Sequence, residues 1–98
     1  MKLLTKAQIK KLPKLYSQEN EKDPICLVKF FTPWTFWSWY VIEYCPERNL
    51  CFGYVEGFED ELGYFSLDEL SEIKCAYADL KIERDRHFEP KRLSEIKK

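Results

Sequence analysis

The chain has one histidine, His87, standing beside Glu83, Arg84 and Asp85. Nucleophilic catalysis would need that imidazole aimed at a Ser or Cys and steadied by a third group. No residue order here sets a nucleophile against it, so His87 reads as a surface side chain among charges. Carboxylates are plentiful at Glu56, Glu59, Asp60 and Glu61, but they crowd one turn. A catalytic acid needs an apolar pocket to raise its pKa, which a solvated turn does not offer. A calcium loop needs ligands at alternate positions closed by a bidentate Glu, and this spacing differs. Cys26, Cys45, Cys51 and Cys75 contain no C-x-x-C pair, so the two thiolate knuckles of a zinc ribbon are missing. Cys45 and Cys51 flank Pro46-Glu47-Arg48-Asn49 and could be cross-strand neighbours. With no secretory signal the four thiols are expected to stay reduced and to behave as small apolar residues. Gly53, Gly57 and Gly63 do not form a phosphate cradle of the G-x-G-x-x-G kind. Gly53 is expected to mark a bulge or make room beside an aromatic ring, and Gly57 to open a turn. The expectation is a non-enzymatic protein with no catalytic residues, no metal and no cofactor.

Binding chemistry is better represented. Phe30, Phe31, Trp34, Phe36, Trp37, Trp39, Tyr40 and Tyr44 fall within fifteen residues. Alternation along strands sends such a run to both sheet faces, more than a small core can hide. Trp and Tyr are favoured anchors of protein interfaces. Stacking on single-stranded nucleic acid would also require nearby Lys and Arg, yet between residues 23 and 73 the basic residues are Lys29 and Arg48 alone. The net charge of −1 is unevenly spread: residues 1–22 carry six basic and two acidic side chains, residues 23–73 two and ten, residues 74–98 eight and five. A dedicated nucleic-acid binder would be basic overall. A two-signed surface suits a protein partner. The expected protein-binding residues are therefore Trp34, Phe36 and Trp37 as anchors, with Glu56, Glu59, Asp60 and Glu61 as a steering surface. The alternative is a nucleic-acid contact through the basic termini at Lys10, Lys11, Lys14 and Arg92. Self-association through the aromatic surface is an equally natural use.

The elements that would position these residues follow from local signals. Ninety-eight residues suffice for one globular domain, residues 1–98, and 45% hydrophobic content excludes wholesale disorder. No window has the length of apolar sequence that spans a bilayer, and the start has no signal-peptide core, so a cytoplasmic protein is expected. Thr5-Lys6-Ala7-Gln8 is a capping box opening a helix over 6–12, stopped by Pro13. Residues 16–24 read as a loop. Residues 25–31 read as a strand, as do 37–44, with Trp37, Trp39, Val41 and Glu43 on one face and Ser38, Tyr40, Ile42 and Tyr44 on the other. Residues 50–56 complete a hairpin, and 62–65 form a short fourth strand after the acidic turn. Ser66-Leu67-Asp68-Glu69 is a second capping box, starting a helix over 67–75. Residues 76–88 are ambiguous, with Leu80, Ile82 and Arg84 suiting an extended edge. Pro90 suits the first turn of a last helix. The expected fold class is α+β: a four-stranded antiparallel β-meander sheet with short helices packed on one face, around Leu27, Phe30, Val41, Phe52, Leu67 and Leu70.

The stretches LLTKAQIKKLPKLYSQENEKDP (3–24), VKFFTP (28–33), FGYVEGFEDELGYFSLDEL (52–70) and IERDRHFEP (82–90) resemble a bacterial and plasmid-borne family of unknown function, number 2958 in the series of such domains. The likeness runs over about residues 3–90, and the long central motif is its most specific part. The family's pattern is more polar where this chain has Pro33-Trp34-Thr35-Phe36. The resemblance implies a small domain often carried on mobile elements such as plasmids and phages, and it supplies no catalytic residues. Small proteins of such elements often bind host proteins, so it also implies an accessory or counter-defence role, of the anti-CRISPR kind, with a host defence nuclease as the partner inhibited.

Overall fold

The computed structural model describes residues 3–97. The first helix, α1 (Lys6–Lys11), forms with its capping box complete: the Thr5 hydroxyl accepts from the Gln8 N–H and the Gln8 side chain accepts from the Thr5 N–H. The predicted strand at 25–31 is split. Ile25–Cys26 is β1, Val28–Phe31 is β2, and between them the Leu27 N–H donates to the Val41 carbonyl. The expected hairpin is β3 (Ser38–Cys45) and β4 (Leu50–Glu56), followed by β5 (Asp60–Ser66), α2 (Leu67–Glu72), β6 (Glu83–Arg84), β7 (Lys91–Arg92) and α3 (Leu93–Lys97).

The four expected strands form in meander order, but the main antiparallel sheet has five strands, β5-β4-β3-β2-β6, and β1 and β7 make a separate two-stranded sheet. The fifth strand comes from the ambiguous segment. Glu83 and Arg84 pair with Phe31 and Phe30, which covers the backbone groups that β2 would otherwise leave open. Pro90 does not open the last helix; it precedes β7, because pairing of Arg92 with Ile25 holds residues 91–92 extended. Asp23 then anchors α3: its carboxylate accepts from the Ser94 N–H (2.9 Å) and hydroxyl (2.7 Å), which hold its pKa below the ordinary value.

A bulge at Ile42 decides which side chains face which way. The β3–β4 register jumps between Val41↔Gly53 and Glu43↔Phe52, leaving Ile42 as the extra residue. The alternation slips there. Tyr44 therefore joins Trp39 and Val41 on the first face, and buried Glu43 falls on the other, reversing the expected sides of these two residues. The same bulge accounts for Gly53, where a Cβ would stand 1.8 Å from the Tyr40 carbonyl oxygen.

Helices cover both sheet faces rather than one. On the first face Val28, Phe30, Trp39, Val41, Tyr44, Cys51 and Phe65 pack with Leu4, Leu12, Leu67, Leu70 and Ile82. On the second, Tyr40, Ile42 and Tyr54 pack with Cys26 and with Leu93 of α3. Of the expected core, Phe30, Val41, Leu67 and Leu70 lie in the first cluster and Leu27 packs against it, but Phe52 packs half-buried on the second. Two polar residues tie the layers together. Asn49 adopts a left-handed conformation (φ 51°) in the hairpin turn, accepts from the Tyr44 hydroxyl, donates to Asp68, and offers its carbonyl to the Leu67 N–H. Glu43 reaches up on the second face and accepts from the Tyr16 N–H (2.8 Å) and the Gln18 N–H (2.7 Å), which pins the loop over 16–24 to the sheet.

Candidate interaction surface at one end of the sheet

The β2–β3 loop and the β4–β5 turn lie at the same end of the sheet, because Ser38 at the start of β3 pairs with Glu56 at the end of β4. The loop is closed by the Thr32 N–H donating to the Trp37 carbonyl (3.1 Å), with the Thr32 and Thr35 hydroxyls in contact inside it. This fold of the loop turns Trp37 onto Trp39, stacked at 5.8 Å between ring centroids. The far edge of Trp37 lies over Gly57, where a Cβ would come within 2.4 Å of the ring. The glycine that makes room for an aromatic is therefore Gly57. Phe58 then meets Trp37 edge-on at 5.3 Å and Phe36 at 6.5 Å. Edge-to-face contacts at these separations are attractive, so Phe36, Trp37 and Phe58 form one cluster built from two connections distant in sequence. Phe36 is 66% exposed and Phe58 86%.

The sequence-predicted residues divide accordingly. Phe36 is exposed and Trp37 half-buried, and both belong to the cluster. Trp34 sits half-buried against the first-face core, as Trp37 does, but makes no ring contact with Phe36 or Phe58. Glu59, Asp60 and Glu61 are exposed on the turn and the start of β5. Glu56 is half-buried and accepts a hydrogen bond from the Tyr40 hydroxyl at 2.9 Å. Burial, and then that carboxylate, push the Tyr40 phenol above its ordinary pKa. Glu56 thus serves the second-face core as much as the turn. Phe58 was missed by the sequence reading. Its signal is a single large apolar residue standing between Gly57 and three carboxylates, a position with no strand partner to bury it.

The basic residues are not gathered. Lys10 and Lys11 end α1, whose Ile9 packs on the first face. Lys14 is exposed just beyond it and lies in electrostatic reach of Glu47. Arg92 is on β7, beside the second-face helix α3, with its guanidinium donating to the Asp23 carbonyl. His87 is exposed, and its backbone N–H donates to Asp85. Among the described residues no three His, Cys, Asp or Glu side chains converge in a geometry that could hold a metal ion. Cys45 and Cys51 are not directly opposed: Cys51 pairs with Tyr44 and Cys45 with Leu50, and all four cysteines are free. Among the described residues no helix is long and apolar enough to cross a membrane.

A family model described as "Protein of unknown function (DUF2958)" matches residues 3–97, and the chain belongs to that family. No curated protein and no solved structure matches it.

Proposed function

We propose that this DUF2958 protein is a non-enzymatic protein-binding module that docks through the aromatic and acidic end of its sheet. The observation that supports the reading is the convergence of exposed Phe36 and Phe58 with Glu59, Asp60 and Glu61 on two adjoining connections. An apolar centre of rigid rings with charge at its rim is the usual anatomy of a binding hot spot. The acidic rim fits a basic partner and would steer it electrostatically. A nuclease exposes such a basic surface where it holds phosphate, which suits the counter-defence role on a mobile element that the family resemblance implies. Binding of nucleic acid by Lys10, Lys11, Lys14 and Arg92 is the competing reading. It is disfavoured by their separation, α1 packing on the first face of the sheet and Arg92 standing beside α3 on the second.

The test is capture of host proteins by the intact chain, by Phe36→Ala/Phe58→Ala and by Glu59→Lys/Asp60→Lys, with each bound protein identified by mass spectrometry. A discrete partner retained by the wild type and lost from both variants is the expected result. A partner held equally by all three would remove this surface from the function. Submicromolar binding to DNA at ~150 mM salt, with a steep salt dependence, would instead bring the basic termini forward.

A further inference from the structure

The outer edge of the main sheet is β5, with β4 on one side and, among the described residues, no strand on the other. An edge strand offers a row of backbone donors and acceptors to any chain that can run alongside it. Among the described residues no backbone hydrogen bond outside the β4–β5 ladder is made by Glu61, Leu62, Gly63 or Tyr64. Three features distinguish this edge. Leu62 and Tyr64, on the second face, are 47% and 52% exposed, a short apolar stripe in register with Tyr54 and Phe52. Gly63, between them, has a φ that is not positive, and a Cβ there would meet nothing within 4 Å. Neither its backbone nor its neighbours in the fold therefore require glycine, whereas close approach of a side chain from an added strand would. Finally, residues 56–72 carry seven carboxylates (Glu56, Glu59, Asp60, Glu61, Asp68, Glu69 and Glu72) and no basic residue.

We infer that β5 is a strand-addition site whose occupant is an extended basic segment of another protein, pairing antiparallel to β5 as a sixth strand. Backbone bonds would supply affinity and alternate side chains the selectivity. The register specifies the segment's chemistry: apolar residues opposite Leu62 and Tyr64, a large flat residue over Gly63, and Lys or Arg opposite Asp60 and Glu61. A second copy of this chain fits poorly. Self-pairing centred on Gly63 sets Asp60 opposite Ser66 and brings the acidic turn beside Asp68 and Glu69 of the other copy, while parallel self-pairing sets like carboxylates side by side. The inference rests on the protein-binding reading above but not on the aromatic tip, so the two are separable by experiment.

The probe is the peptide Thr-Thr-Val-Tyr-Val-Lys-Lys, titrated into the full chain and followed by amide NMR and hydrogen exchange. Its counterpart ending in Glu-Glu is the control. Slowed exchange at the outward amides of β5 is expected, with binding at least tenfold tighter for the Lys peptide at 50 mM salt and a gap that narrows at 500 mM. Leu62→Lys/Tyr64→Lys changes two half-exposed side chains, of which Tyr64 packs on Phe52 and Tyr16, and should abolish binding with the fold intact by its β3–β4 amide pattern. Phe58→Ala should leave peptide binding unchanged, so a dead tip and a dead edge give different patterns. The inference is overturned if the Lys peptide binds without protecting β5 amides, or if the Glu peptide binds equally. It is also overturned if neither binds, or if the edge proves occupied by a second copy, seen as a doubled mass that Leu62→Lys/Tyr64→Lys abolishes.

Discussion

Gly53 and Gly63 face each other across β4 and β5, yet replacing them should have opposite effects. At Gly53 a Cβ collides with the backbone of Tyr40, which its pairing with Tyr54 holds in the β3–β4 ladder. Gly53→Ala should cost about 3 kcal/mol or more, in the range of overpacked and strained sites. At Gly63 the space is open, so Gly63→Ala should stabilise the free protein by about 0.4–1 kcal/mol through the unfolded chain. Urea melts of the two variants measure both signs at once. The cysteines give a second residue-scale expectation. Burial pushes the Cys26 and Cys51 thiols up to about 12, so native protein at neutral pH should react with a thiol reagent only at Cys45 and Cys75. In the unfolded chain the two buried thiols ionise near their ordinary value of 9.0, before the folded ones do. Their contribution is thus unchanged below pH 9 and becomes destabilising as pH rises from there toward 12. A melting temperature that stays flat across this window would contradict that burial.

At the scale of elements, the start of the loop over residues 16–24 takes its backbone hydrogen bonds to the sheet from one side chain. Glu43 is 3% exposed, and its two oxygens receive the Tyr16 and Gln18 amides. The loop adopts a left-handed backbone at Tyr16 (φ 70°), a conformation a bulky residue takes only when its surroundings impose it. Hydrogen bonds to a charged acceptor contribute about 1.5–3 kcal/mol each. Glu43→Ala should therefore destabilise by about 3 kcal/mol, and Glu43→Gln by less, because its amide keeps one acceptor. Hydrogen exchange should quicken at the Tyr16 and Gln18 amides in both variants while the β3–β4 ladder stays protected. Loss of protection throughout β3 would mean that Glu43 supports the sheet itself rather than the loop.

Across the whole molecule, charge is segregated while its sum stays near zero. The acidic run from Glu56 to Glu72 occupies the β4–β5 turn, the β5 edge and α2, and the basic N-terminal segment adjoins it only at α2, where Leu4 and Leu12 pack with Leu67 and Leu70. Reversal at Glu59→Lys/Asp60→Lys changes exposed groups, so the melting temperature should move little. With a basic partner, association should slow most at low salt while dissociation changes less. Phe58→Ala should act the other way, mainly speeding dissociation, because it removes buried contact rather than long-range attraction. Stopped-flow kinetics at two salt concentrations separates the two effects, and a charge reversal that alters only dissociation would contradict steering.

Local signals in the sequence determined the capping box at Thr5, the N-cap at Ser66, whose hydroxyl accepts from the Glu69 N–H without the return bond of the expected second box, the hairpin about Pro46–Asn49, the strand cores, and the α+β class. Each depends on interactions a few residues apart, which a short window contains. The aromatic excess and the acidic turn were legible as compositions for the same reason. Tertiary structure alone decided the rest. The bulge at Ile42 exchanged the sides of Glu43 and Tyr44, since one extra residue inverts a period of two. Residues 83–84 became a strand only because β2 had an open edge to pair with. Phe58, unremarkable in sequence, completed the cluster with Phe36 and Trp37 because the Ser38↔Glu56 register brings two remote connections to one end of the sheet. Contacts of that kind depend on how strands align across the chain, and no local pattern encodes the alignment.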